Sequence, residues 1–341
     1  MKKCLFYCDT PFQIFTTVSL LQGHFSDWEC DLVLYHKFFN SERMRLMLNE
    51  VNLFNRIYDA YPANSKKSDI KRLISCTSYI RQEIGLKDLY YDQYLFSMLD
   101  TNASLALYSG LKYAEVSTFD DGCENYRDRD IYDYVNWRRH LILKIFHPQK
   151  KYFHFDSTYC YLPEICTTDI SQRIKIKISS TSIYDKVFNY IPNDLYNRKF
   201  VYFDSPVMYN HRDYFETELK RVLNDIQQDL TVRLHPRMKK TTLTESNIDK
   251  GLNVWEVECM HQITNNHVLI STYSTAMFTP IMIAECSPTL IFLYKLTVDM
   301  FTAEMLKGIE THISRFKKIY SKSLVYIPED WNELDFIIKQ L

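Results

Sequence analysis

Short apolar runs that stop at a polar break recur along this chain, each followed by a segment whose apolar residues return at helical spacing. Cys4–Cys8 stops at Asp9-Thr10-Pro11, and Phe12–Leu21 then carries the helical period. Asp31–Tyr35 precedes a helix over Glu42–Asn52, Arg56–Tyr61 precedes Lys66–Ile84, and Tyr94–Met98 precedes Ala103–Lys112. Val116–Phe119 then runs into Asp120-Asp121-Gly122. Strands separated by helices pair in parallel, because the helix is the crossover that returns the chain to the same edge. The alternation therefore predicts a doubly wound sheet whose ligand-facing loops lie at the carboxyl ends of its strands.

From Tyr126 to about Asn197 the pattern loosens. Val135–Phe146 reads as an amphipathic helix with Arg138, Arg139 and Lys144 on its basic face. Such a face is a solvated helix surface or a landing surface for anionic lipid. After Ile191-Pro-Asn-Asp194 the alternation starts again. Phe200–Phe203 closes with Asp204-Ser205-Pro206, Tyr214–Ile226 is helical, and Leu230–Leu234 delivers His235. Asn253–Trp255 reads as a short strand before Glu256, and Val257–Ile263 as a short helix. Val268–Ile270 is a strand ending at Ser271, Ala276–Ala284 a helix and Thr289–Tyr294 a strand. Helices near Met300–Tyr320 and over Trp331–Leu341 close the chain. A length of 341 residues exceeds one ordinary core. The expected fold class is α/β, with two doubly wound Rossmann-like domains, 1–190 and 191–341, facing a cleft.

Charge excludes one class of partner. With 41 basic and 42 acidic residues the chain has no global field to recruit nucleic acid, so any anion site must be local. Nine cysteines at irregular spacings, without a Cys-x-x-Cys pair, argue against a zinc site or a disulfide framework and for reduced thiols. The first apolar run meets Asp9 too early for a signal peptide, and no run is long enough to span a bilayer. The expected location is cytoplasmic, with peripheral contact at the inner membrane through the basic helix faces. An abundance of Tyr and Phe supplies rings on which sugars stack.

Three polar stations carry the chemistry. In Thr231-Val-Arg-Leu-His-Pro-Arg237, Pro236 pushes His235 into an extended conformation at the mouth of a strand, between Arg233 and Arg237. There it is a satisfied strand-end histidine or a partner for a phosphate. Asp120-Asp121-Gly122 is an ordinary polar turn, or an acidic pair in which one carboxyl raises the pKa of the other. Gly122 allows a backbone conformation that other residues resist. The Ser271-Thr272-Tyr-Ser274-Thr275 turn can cap the following helix, and can donate its hydroxyls to a phosphate at that helix's amino end.

Thr118-Phe-Asp-Asp-Gly-Cys-Glu-Asn125, Arg233-Leu-His-Pro-Arg237 and the Ser271–Ser274 turn, in that order, resemble the three motifs of bacterial sialyltransferases. Cys8-Asp-Thr-Pro-Phe-Gln13 also resembles the first loop of glycosyltransferase family 52, the lipooligosaccharide sialyltransferases. The resemblance implies a GT-B fold and inverting transfer of sialic acid from CMP-sialic acid. The acceptor it implies is a hydroxyl, of galactose in our reading, on a lipooligosaccharide or capsule glycan. It places Asp120 and Asp121 as candidate bases, His235 on the leaving phosphate, and Glu256 on the ribose hydroxyls. Ser271, Thr272, Ser274 and Thr275 would hold the phosphate. Thr10, Gln13, Gly122, Arg233 and Pro236 complete the expected substrate-binding set. The sequence departs from the family at one place: Val207 stands where a carboxylate follows the Ser-Pro, and Asp204 lies on its other side. The base is therefore Asp204 or one of the Asp120/Asp121 pair. Asp120-Asp121 is not the Asp-x-Asp spacing of metal-dependent transferases, and neither metal nor other cofactor is expected. Two other readings stay open: a polysialyltransferase or transferase of another CMP-linked sugar, and a non-catalytic α/β protein that binds a glycan or phosphate. A homodimer is compatible with either.

Overall fold

Cys4 to Cys8 is buried at every position, with no alternation between faces. Only a strand covered on both sides buries itself so, and both sheets of this protein are parallel and helix-covered. The computed structural model describes residues 1–38, 40–127, 135–150, 154–167, 172–178, 180–204, 212–235, 238, 241, 243–244 and 246–341. The chain divides into two compact units, Met1–Asn189 and Tyr190–Leu341.

The first unit contains β1 (Lys3–Cys8), α1 (Pro11–Gly23), β2 (Glu29–Tyr35), α2 (Ser41–Val51), β3 (Arg56–Ala60), α3 (Lys66–Ile74) and α4 (Cys76–Ser78). It continues with β4 (Tyr90–Phe96), α5 (Asn102–Gly110), β5 (Lys112–Phe119), α6 (Trp137–Phe146), β6 (Ser157–Cys160), β7 (Arg173–Lys175) and α7 (Thr181–Phe188). The strands align in the order β3-β2-β1-β4-β5-β6-β7, each pair parallel. The chain builds outward from β1 to β3, then returns to the other side of β1 as β4. That reversal makes β1/β4 the topological switch point, where open α/β sheets bind ligands. One expected helix is broken: Lys66–Ile84 stops at Ser75 (φ −108°, ψ 52°) and resumes as α4 and a π-helical turn over Tyr79–Ile84. β6 and β7 have no counterpart among the expected elements.

The second unit contains β8 (Phe200–Phe203), α8 (Arg212–Leu223), β9 (Leu230–Arg233), β10 (Ile248–Asp249), α9 (Trp255–Gln262) and β11 (Val268–Ser271). It ends with α10 (Thr279–Ile283), β12 (Thr289–Phe292), α11 (Ala303–Ile319), β13 (Val325–Tyr326) and α12 (Trp331–Gln340). Its parallel sheet has the order β10-β9-β8-β11-β12-β13, so β8/β11 is the second switch point. Phe215 and Leu219 of α8 and Leu334 of α12 pack on Val232, Ile270 and Ile291 of the sheet. Two expectations need correction. Asn253–Trp255 is not a strand: the extended pair is Ile248–Asp249, and Trp255 opens α9. The expected helix over Ala276–Ala284 is a 3-10 turn, Thr275–Met277, followed by the five residues of α10. Pro280 lies inside that stretch and has no N–H to continue the ladder. No helix among the described residues is long and apolar enough to cross a membrane.

Candidate functional site

The turn after β5 holds two adjacent aspartates in unlike surroundings. Asp120 is fully buried. Its Oδ1 accepts from the Gly122 N–H at 2.7 Å, and its Oδ2 accepts from the Tyr161 N–H at 3.0 Å and from the Tyr126 hydroxyl. Gly122 reaches its position with φ 79°, a left-handed conformation open to glycine at little cost. Burial pushes the Asp120 carboxyl up to about 7, against the three donors, which favour the ionised form. Asp120 thus ties β5 to the loop after β6.

Asp121 is only partly buried, and its surroundings are acidic. Burial and the charges of Asp9, Asp100 and Asp120 raise its carboxyl to about 8, against the hydrogen bond from Gln13. That bond is part of a bridge: Gln13 Nε2 donates to Asp121 Oδ1 at 3.1 Å, while Gln13 Oε1 accepts from the Asp9 N–H at 2.7 Å. Gln13 itself is 3% exposed, so the bridge is fixed by packing. Thr10 caps α1, its hydroxyl accepting from the Gln13 N–H at 3.2 Å, which sets the rotation of the first helical turn and hence of Gln13. Asp9 follows β1, and Asp100 lies four residues past β4, so both stand at the switch point. Lys37 Nζ lies 3.6 Å from Asp9 Oδ2 and 3.5 Å from Asp100 Oδ2, the cation that offsets this cluster. Lys37 and Asp100 were not among the expected site residues. Their only sequence signal is position, just past the ends of β2 and β4.

In the second unit the expected residues collect at one edge. β9, β8 and β11 are parallel and lie side by side in that order, so Asp204, His235 and Ser271–Thr275 all lie at or just past the carboxyl ends of neighbouring strands. The Asp204 N–H donates to Arg233 O at 3.0 Å, which holds the start of the loop after β8 against β9. Arg233 does not point into open solvent. It pairs with Asp249, its register partner on β10, donates to the Tyr196 hydroxyl at 2.9 Å and to Asn253 O at 2.8 Å, and stacks over Trp255. Its guanidinium fixes the strand end from which His235 emerges. His235 is half-buried, and its carbonyl accepts from the Met238 N–H at 2.7 Å. Pro236, Arg237 and the Ser205-Pro206-Val207 segment lie outside the described residues.

Glu256 sits in the first turn of α9. Burial raises its carboxyl, opposed by its own backbone N–H and by the charge of Arg233. Trp255 Nε1 donates to Ala276 O at 3.0 Å, which ties the start of α9 to the hydroxyl turn. Within that turn Ser271 Oγ donates to Phe203 O at 3.4 Å, Thr272 is buried, and Ser274 Oγ caps the 3-10 turn by accepting from the Ala276 N–H at 3.3 Å. The short α10 supplies no long helix dipole here, so phosphate binding would rest on hydroxyls and turn N–H groups. Among the described residues no group of three or more His, Cys, Asp or Glu side chains is arranged to hold a metal ion.

No family model and no curated protein sequence matches the chain. Solved structures match in fold. An S. aureus MnaA–UDP co-structure is 13% identical with a TM-score of 0.57, the match covering 100% of this chain and 88% of that one. The glycotransferase of kitacinnamycin is 8% identical with a TM-score of 0.56, covering 100% and 90%. The spinosyn rhamnosyltransferase SpnG, complexed with thymidine diphosphate, is 8% identical with a TM-score of 0.51, covering 100% and 91%. What is shared at such identities is the fold: two parallel-sheet, Rossmann-like α/β domains of the GT-B class.

Proposed function

We propose that this protein is a glycosyltransferase that moves sialic acid from CMP-sialic acid, with inversion, onto a galactose hydroxyl of a bacterial surface glycan. The observation that carries the proposal is Asp121: the carboxyl of a partly exposed residue at a sheet's ligand edge, oriented by Gln13, with its pKa raised toward the working pH. A general base is most effective in that range. Asp121 removes the acceptor proton as the acceptor oxygen bonds to the anomeric carbon. The bond from that carbon to the CMP phosphate breaks, and its electron pair leaves on the phosphate oxygen. His235 donates to that oxygen as charge develops. Glu256 accepts from the ribose hydroxyls, and Thr272, Ser274 and Thr275 donate to the phosphate. Asp120, fully buried and held by three donors, shapes the turn instead of reacting. Asp204 is the alternative base.

The fold likeness supports a nucleotide-sugar donor, and the two co-structures named above hold UDP and thymidine diphosphate. CMP as the leaving nucleotide rests on the motif resemblance. The test is CMP release from CMP-sialic acid in EDTA, with and without lactose, beside thermal shifts with CMP, UDP and thymidine diphosphate. Acceptor-stimulated release that collapses in a folded His235→Ala variant is the expected result. A shift with UDP and none with CMP would replace the donor. Near wild-type turnover in His235→Ala would remove the role given to that residue.

A further inference from the structure

Helix α6 shows an apolar stripe to solvent. Trp137, Leu141 and Ile145 follow one another at four-residue spacing and are 69%, 49% and 61% exposed. Phe146, at the helix end, is 49% exposed. Arg138 and Lys144, both exposed, border the stripe on its two sides, and the Arg138 guanidinium lies over the Trp137 ring. The opposite face is anchored. Leu143 is 1% exposed in the core, Arg139 Nη1 donates to Asp100 O at 2.7 Å, and His147 Nε2 lies 2.9 Å from Leu73 O of α3. The stripe therefore belongs to a helix held firmly in its unit, with no freedom to roll inward. From Val135 to Phe155 the sequence contains no Asp or Glu. Helix α3, packed alongside, adds exposed Lys66, Lys67 and Lys71 around exposed Ile70, with Asp69 its one acid, half-buried.

We infer that α6 docks this protein on an anionic lipid bilayer, lying in the interface plane with Trp137, Leu141 and Ile145 in the acyl boundary and Arg138 and Lys144 on the headgroup phosphates. Large apolar side chains rimmed by cations, with no acid between them, are complementary to that surface: burial of the stripe and attraction of the rim act together. A protein partner recognised through the rim would need acidic groups facing both edges of a narrow stripe, which a phospholipid surface offers at every position. Tryptophan suits the headgroup depth because its ring is apolar and its N–H can remain hydrated. The inference does not depend on the donor nucleotide.

The test uses the full chain and sucrose-loaded vesicles of phosphatidylcholine, alone or mixed with phosphatidylglycerol. Sedimentation with the mixed vesicles is expected, weakened by high salt, with a blue shift of tryptophan emission that is lost in Trp137→Phe. Leu141→Ser/Ile145→Ser should reduce vesicle binding by roughly tenfold or more. Arg138→Glu/Lys144→Glu should reduce it on anionic vesicles by a similar factor. Both pairs are surface changes and should leave the thermal midpoint in place. Equal binding by wild type and both variants would overturn the inference, as would no binding by the wild type. A soluble dimer that dissociates on Leu141→Ser/Ile145→Ser, without vesicle binding, would make the stripe an interface between copies of the chain instead.

Discussion

Replacing Asp121 by asparagine should remove turnover and, above neutral pH, stabilise the first unit. The amide matches the carboxyl in shape and keeps an oxygen to accept from Gln13 Nε2, so geometry is preserved and charge is removed. Burial and the carboxylates of Asp9, Asp100 and Asp120 lift the Asp121 pKa from 3.8 to about 8. The folded state therefore holds this proton more tightly than the unfolded chain does. Its contribution to stability is complete below the unfolded value and is lost as the pH rises through about 8. At about 1.4 kcal/mol per pH unit, the ceiling on that loss is roughly 6 kcal/mol. Solvent beside this partly exposed residue screens the neighbouring charges, and the expected value is about 1–3 kcal/mol. For a unit of this size that is a rise in Tm of roughly 3–10 °C for the Asp121→Asn variant over wild type at alkaline pH, shrinking toward zero on acidification.

Asp120→Asn should do the opposite below about pH 7, the value to which burial raises its carboxyl, and the deficit should narrow above it as ionisation destabilises wild type. Its two oxygens accept from the Gly122 and Tyr161 N–H groups and the Tyr126 hydroxyl. An asparagine must turn its NH2 toward one of the two backbone donors, which orphans a buried N–H at a cost of about 1–3 kcal/mol. The assay is a pair of Tm-against-pH curves for each variant beside wild type. An Asp121→Asn curve that runs below wild type, or parallel to it, would show that no displaced carboxyl titration exists at this position. Retained turnover in Asp121→Asn, with loss in Asp204→Asn, would move the base to the second unit.

Gln13→Ala removes the donor that favours the ionised Asp121 and leaves the Asp9 N–H unpartnered. The acid limb of the kcat/KM profile should move up by about one pH unit, with a stability cost of about 1–3 kcal/mol. A lower Tm with an unmoved limb would reduce Gln13 to packing. Lys37→Met takes away the cation beside Asp9 and Asp100, and the same limb should again rise, whereas Lys37→Arg should hold it near the wild-type pH; coincident profiles for all three proteins would refute the link. Asp249→Asn leaves the buried Arg233 charge without its partner and should cost the second unit about 3–5 kcal/mol in urea unfolding. An unchanged midpoint would mean that Arg233 finds a substitute, and that the strand end does not depend on the pair.

The elements legible in the sequence are those that show a helical period or bury a continuous apolar run: β1 to β5, β8, β9, β11 and β12, with α1, α2, α5, α8, α11 and α12. Those that escaped are β7, β10 and β13, with only two or three residues, and β6, which is as long as β8, β9 and β11 but reads Ser-Thr-Tyr-Cys, with no aliphatic run to mark it. The site divides along the same line. Strand-end stations such as Asp120-Asp121 and His235 could be found because a polar break after an apolar run marks a carboxyl edge. Partnerships between distant positions could not. Arg233 reads as a phosphate ligand until β10 sets Asp249 opposite it in register, and a two-residue strand sixteen positions away has no signature.

The acidic pair carries the same lesson into mechanism. Two neighbouring aspartates are interchangeable in sequence, yet a base must be reached by the substrate, and Asp120 is fully buried whereas Asp121 is partly exposed. Asp120 has both oxygens taken by donors from its own turn and from the residue that follows β6, which long-range folding brings alongside. Asp121 has one oxygen on Gln13, and among the described residues no other hydrogen bond reaches its carboxyl. The choice between them is thus made by exposure, together with donors delivered from α1 and the end of β6, which is why Asp121, and not its neighbour, is the residue whose removal should cost activity while sparing the fold.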